Sequence, residues 1–211
     1  TNLMRNVIKG PNVTWIDIEN PTKDDVSYLE NTFGIIPLTI KSITTPEVRS
    51  RVEQYPNYLY LVLHYPIHNK QSRETRSREL DIIVTRDTII TVRLQSIVTL
   101  KALYNSLNIY EEERAKYMNQ GAGYLLFAII EDLWESSMTK LTMINKGLGD
   151  IEKQIFEGRE GPMVKEISLT KADIINFWKI VNPQTDTMSE LRKEGVEFFG
   201  TEMRPYFAQL L

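Results

Sequence analysis

His64 and His68 are the only imidazoles in the chain, and on a helix their i, i+4 spacing would aim two ring nitrogens at one metal. The segment is β-rich and Pro66 lies between them, so one histidine is expected on a strand and the other in a loop. Ser137-Met138-Thr139-Lys140 has the Ser-x-x-Lys spacing of some acyl-transfer enzymes. It sits in the middle of a helical pattern and lacks the Ser-Asp-Asn and Lys-Thr-Gly partners that such chemistry uses. Gly121-Ala122-Gly123 has neither the third glycine nor the preceding strand of a dinucleotide fingerprint, and reads as the entry to a helix. No phosphate-binding lysine loop is present. Glu111-Glu112-Glu113 and Glu131-Asp132 supply the oxygen ligands that hard cations such as Mg²⁺ accept, although a solvated helix face is the simpler account. Asn12-Val13-Thr14 is formally a glycosylation acceptor, which means little in a chain without cysteines or a leader-like start. No acid–base pair occurs at a motif-like spacing, so these residues argue against an enzyme.

Composition narrows the classes further. The 25 Lys plus Arg against 28 Asp plus Glu leave a net charge of −3 with the signs mixed, which provides no field for gripping nucleic acid phosphates. Zero cysteines excludes disulfides, thiolate metal sites and cysteine nucleophiles, and suits a reducing compartment. At 211 residues and 42% hydrophobic content, folding should bury roughly 70% of the extended chain's surface. The longest charge-free apolar stretch, residues 121–130, is half of the roughly 20 residues that a membrane-spanning helix needs. Residues 1–9 lack the apolar core of a secretory signal.

The elements that must position these groups fall into a strand-rich region to about Leu94 and a helical remainder. Residues 13–18 read as a strand stopped by Asn20-Pro21. Thr22 with Asp25 three positions on is a capping-box-like helix start, Val26, Leu29 and Phe33 form its apolar stripe, and Gly34 ends it. Ile36-Pro37-Leu38 opens a second short helix. Residues 51–55 and 58–65 read as strands joined by Pro56-Asn57, and the second is apolar on both faces, which requires packing on both sides. Residues 68–77, carrying Lys70, Arg73 and Arg76, read as a solvated hairpin loop, with strands at 80–85 and 88–94 around Arg86-Asp87. Trp134, Leu141, Ile144, Leu148, Ile151 and Ile155 then form a heptad-like seam in a helix over 121–157, roughly 55 Å long at 1.5 Å per residue. After Gly158 and Gly161-Pro162 a second series runs from Met163 to Leu191, predicting an antiparallel hairpin with a kink near Lys179 caused by Pro183. A last short helix begins near Thr201, and Leu210-Leu211 stop in mid-pattern, so the natural protein is expected to continue.

Four ordered stretches resemble the cytoplasmic part of the CorA family of divalent-cation transporters. They are Trp15-Ile16-Asp17-Ile18 with Asn20-Pro21-Thr22; Phe33-Gly34-Ile35-Ile36-Pro37-Leu38 followed by Arg51-Val52-Glu53 and the aromatic strand from Tyr55-Pro56-Asn57-Tyr58; Gly123-Tyr124-Leu125-Leu126-Phe127; and Pro183-Gln184 with Arg204-Pro205-Tyr206-Phe207. The resemblance implies an α+β fold, an α/β/α sandwich with a mixed sheet over residues 1–110 followed by a long-helix hairpin over 111–211 leading towards a pore-lining helix. It also implies a homopentamer, divalent metal ions as cargo with Mg²⁺ the default, two membrane spans and a Gly-Met-Asn signature beyond this sequence, and a place on the cytoplasmic side of the inner membrane. This stretch would then be a regulatory or scaffold domain.

The resemblance further implies acidic residues from adjacent subunits sharing Mg²⁺, and here the sequence departs. Lys41-Ser42 stand where an acidic pair is expected after Pro37-Leu38, and Gln209 stands where an Asp is expected after Pro205-Tyr206-Phe207-Ala208. Glu131 matches a third position that is acidic in relatives, leaving one metal-ligand candidate. A lone carboxylate holds Mg²⁺ weakly, so no cofactor is required and only weak binding of Mg²⁺ or another divalent cation is expected. The competing reading is a soluble scaffold whose helical hairpin docks a partner through the apolar seam.

Overall fold

The computed structural model describes residues 5–69, 72, 74–158 and 160–210. Six strands, β1 (Arg5–Lys9), β2 (Thr14–Glu19), β3 (Arg51–Gln54), β4 (Leu59–Asn69), β5 (Glu74–Val84) and β6 (Thr88–Arg93), form one sheet in the order β1-β2-β6-β5-β4-β3. The β2·β6 pair is parallel and the other four are antiparallel, so the sheet is mixed as expected. Strand β1 is absent from the sequence reading because only Ile8 of its five residues is buried.

Alternation along the strands divides two cores. Tyr60, Val62, Ile83, Ile90 and Val92 point to one face, where α1 (Lys23–Phe33) and α2 (Pro37–Thr44) supply Leu29 and Ile43. Leu59, Leu61, Leu63, Ile82 and Val84 point to the other, against α3 (Val98–Ile109), α5 (Ala122–Phe156) and α7 (Gln184–Phe199). The doubly apolar β4 is therefore covered on both sides. The capping box holds: Thr22 Oγ1 accepts from Asp25 N, Thr22 N donates to Asp25 Oδ2 at 2.9 Å, and Gly34 closes α1 at φ 64°.

Three local expectations change. Residues 68–77 are mostly strand, since β4 runs to Asn69 and β5 starts at Glu74; Lys70 and Arg73 lie outside the described residues. The polar extension is held from outside the sheet, where Asp173 Oδ1 accepts from Thr75 N at 2.5 Å. Pro66 is tolerated inside β4 because β3 pairs only with residues 59–62, leaving no neighbour to miss its amide. The kink near Lys179 is a full break, with α6 (Glu160–Val181) ending two residues before α7, because Pro183 has no amide to continue the ladder. The seam of the 35-residue α5 packs on α6, with Ile151, Met163, Thr170 and Phe177 buried in the hairpin. A short α4 (Glu111–Met118) precedes α5, and a 3-10 turn (Thr201–Met203) and α8 (Arg204–Gln209) follow α7.

Candidate functional site

Glu131 lies on the first third of α5, and Gln209 is the last residue of α8. The packing of Phe207 beneath α7 brings α8 back against α5, and Gln209 Nε2 donates to Glu131 Oε1 at 2.7 Å. Gly195 permits that approach, since a Cβ there would meet the Phe207 ring at 2.6 Å. Two of the positions singled out in sequence are thus brought together by a hydrogen bond from an uncharged amide to a carboxyl oxygen. Beside them, burial and then the Glu135 charge raise the Asp132 carboxyl above its usual range.

Lys41 and Ser42 sit on α2, against the opposite face of the sheet, so neither meets Glu131 within one chain. The Lys41 side chain is exposed in the last turn of α2, where a cation complements the helix dipole. Ser42 is buried: its Oγ donates to Glu47 Oε1 at 2.9 Å and accepts from Arg51 Nη2 at 2.9 Å. Arg51 also pairs with Glu47 and Glu53, so the position after Lys41 serves an intrachain network.

That network continues into residues that sequence reasoning missed. Glu79 and Asp81 alternate onto one face of β5, opposite His64 and Val62. Tyr60 Oη donates to Asp81 Oδ1 at 2.6 Å, Glu47 N donates to Glu79 Oε2 at 2.8 Å, and Glu79 Oε1 is buried with no hydrogen-bond partner among the described residues. Burial and then the neighbouring Glu79 charge raise the Asp81 carboxyl well above its usual range, while burial raises Glu79. Glu-x-Asp at strand spacing was the available signal, missed because Glu79 falls just before the strand read over 80–85, so the two carboxylates were not placed on one strand face.

Both histidines lie on β4, correcting the expected strand-and-loop division. At about 3.3 Å per residue they stand about 13 Å apart, too far to share a metal. His64 Nε2 donates to the Glu47 carbonyl at 3.0 Å, which leaves Nδ1 to accept from Ser50 Oγ at 2.7 Å. Gln184 locks this pair to α7, donating to Ser50 Oγ at 2.8 Å. His68 Nδ1 approaches Asp173 Oδ2 at 3.1 Å without the alignment of a hydrogen bond. Ser137 is buried and donates to the Leu133 carbonyl at 2.9 Å, so the Ser-x-x-Lys spacing is incidental. Gly121 is the N-cap of α5 at φ 87°, and a Cβ at Gly123 would press on Phe199 at 3.0 Å, which accounts for both glycines. Among the described residues no three His, Asp or Glu side chains converge as a metal site, and no helix is long and apolar enough to cross a membrane.

A family model described as CorA-like Mg²⁺ transporter protein matches residues 11–211. The chain is 25% identical over 201 residues to the cobalt/magnesium transport protein CorA of Thermotoga maritima, covering 92% of this chain and 55% of that protein. It is 23% identical over 190 residues to a magnesium transporter of Saccharomyces cerevisiae, covering 87% of this chain and 21% of the relative. The chain thus spans about half the length of the first of these relatives and a fifth of the second. Its fold is similar to the soluble domain of CorA from Methanocaldococcus jannaschii, at TM-score 0.75 and 19% identity, covering 94% of this chain and 78% of that one. The full-length CmaX protein superimposes at TM-score 0.79 and 17% identity, over 95% of this chain and 60% of the other.

Proposed function

Since the chain belongs to the CorA-like Mg²⁺ transporter family, we propose that it is the cytoplasmic regulatory or scaffold part of a divalent-cation transporter, with Mg²⁺ as cargo. The observation that carries this reading is the family match over residues 11–211, nearly the whole chain. The α/β/α layers and the 35-residue α5 support it, as do the relatives named as transporters. In this reading the chain works as a homopentamer at the cytoplasmic face of the inner membrane, anchored by spans outside the present sequence, and it carries no catalytic machinery.

Regulation by a shared metal is weakened in this chain. Gln209 neutralises one side of the Glu131 position and occupies one carboxylate oxygen, and Lys41 places a cation where an acidic partner would be needed. Losing three negative charges, the expected acidic pair at Lys41-Ser42 and the expected Asp at Gln209, and gaining one positive charge removes the attraction for Mg²⁺, which keeps most of its waters and binds through carboxylates. Because Lys41 and Glu131 lie on helices at opposite faces of the sheet, they can pair only between subunits. A Lys41–carboxylate ion pair between neighbours replaces the metal bridge, and Glu131 remains at most a weak, hydrated ligand.

The docking-scaffold alternative gains no support, because the seam it would offer is packed against α6. The test is Mg²⁺ uptake by the full-length protein reconstituted in sealed vesicles. Uptake driven by an inward Mg²⁺ gradient is expected; a correctly inserted protein that passes no divalent cation contradicts the assignment.

A further inference from the structure

Between α5, α6 and the outer end of β4 lies a half-open cavity of about 700 Å³, within the range of roughly 300–1,000 Å³ typical of small-molecule sites. Its walls include Met143, Ile144 and Leu169, and Gly147 leaves a notch in the α5 wall, since a Cβ there would touch nothing within 4 Å. Lys140 lines the same cavity and is half-buried. Burial alone lowers the pKa of its ammonium, with no carboxylate among the described residues compensating. Among the described residues in the wall the acid is Asp173, which already accepts from the Thr75 amide and lies 3.1 Å from His68 Nδ1. A desolvated cation without a partner beside an apolar wall favours a ligand with an anionic head and a hydrocarbon tail.

We propose that this cavity binds a medium-chain alkyl carboxylate, its head paired with Lys140 and its chain lying along Met143, Ile144 and Leu169. The site lies away from the Glu131–Gln209 contact and does not rest on the transporter reading. An ammonium–carboxylate pair in a partly dry cavity is stronger than its surface equivalent, and a tail lacking the charge forfeits it. An occupant also ties α5 to α6 across the seam at the place where Gly147 leaves it unfilled.

The experiment is calorimetric titration of the 211-residue chain with octanoate, octanol and octylamine, with the Met143 and Ile144 methyl signals followed by NMR. Octanoate is expected to bind at least about tenfold more tightly than octanol, octylamine more weakly than either, and both methyl signals to shift. Lys140→Met, a good helix former, is expected to abolish the preference for octanoate. Gly147→Leu fills the notch and should weaken octanoate and octanol alike by about tenfold or more, with an unchanged or raised melting temperature confirming the fold. Equal affinities of octanoate and octanol for the unaltered chain, an unaffected preference in Lys140→Met, or no binding at millimolar octanoate would overturn the proposal.

Discussion

Asp81 sits in the sheet at 2% exposure with Glu79 beside it, so burial and then that neighbouring charge favour its neutral, protonated form, against the Tyr60 Oη hydrogen bond, which favours the carboxylate. Arg51 and Tyr60 face the pair from β3 and β4, with His64 opposite Glu79 and Glu47 above it. The sign follows from linkage. With a folded pKa above the unfolded value of about 4, the native state binds more protons than the unfolded chain, and stability falls as pH rises through that window. Asp81→Asn mimics the protonated carboxyl and removes this contribution. Thermal melts from pH 4 upwards should show the unaltered chain losing stability relative to Asp81→Asn; parallel curves would contradict the assignment. Only the Glu79-x-Asp81 spacing of this cluster was readable, because folding brings His64, Tyr60 and Glu47 to that pair from 15 to 32 residues away, whereas the Thr22–Asp25 capping box is local and was readable from spacing alone.

At the scale of elements, periodicity was a good guide where burial is two-sided and a poor one where a strand leaves the sheet's cover. Strand β4 and the helix α5 were legible because their apolar patterns are dictated by what covers them. The outer half of the β4–β5 hairpin reads as polar loop because much of it faces solvent, and its anchor, Asp173, is about a hundred residues away. Asp173 contributes the acceptor for the Thr75 amide and approaches His68. Asp173→Ala leaves a buried amide unsatisfied, which should cost about 1–3 kcal/mol in denaturant unfolding. Amide exchange should quicken at Thr75 more than in the inner half of β5. A variant as stable as the parent would mean that α6 holds the hairpin by apolar packing alone. Pro183 was read as a kink and acts as a break, since it stands where the chain turns to let Gln184 reach Ser50.

Across the whole molecule, one core extends from the sheet into α5, α7 and α8. The fold class and the family were legible because four motifs occur in order along the chain. The pairing of Glu131 with Gln209 was not, since it depends on Phe207 seating against Gly195 and swinging α8 onto α5. In the function proposed above, a CorA-type domain here dispenses with a strong metal bridge. The most direct test is light-scattering mass of the chain across 0 to about 20 mM Mg²⁺ with parallel titration calorimetry, a range suited to weak oxygen sites. The account predicts an unchanged mass and no saturable heat. Mg²⁺-dependent association, or dissociation on chelation, would contradict it and would mean that Glu131 and neighbouring carboxylates rebuild a sensor despite Lys41, Ser42 and Gln209.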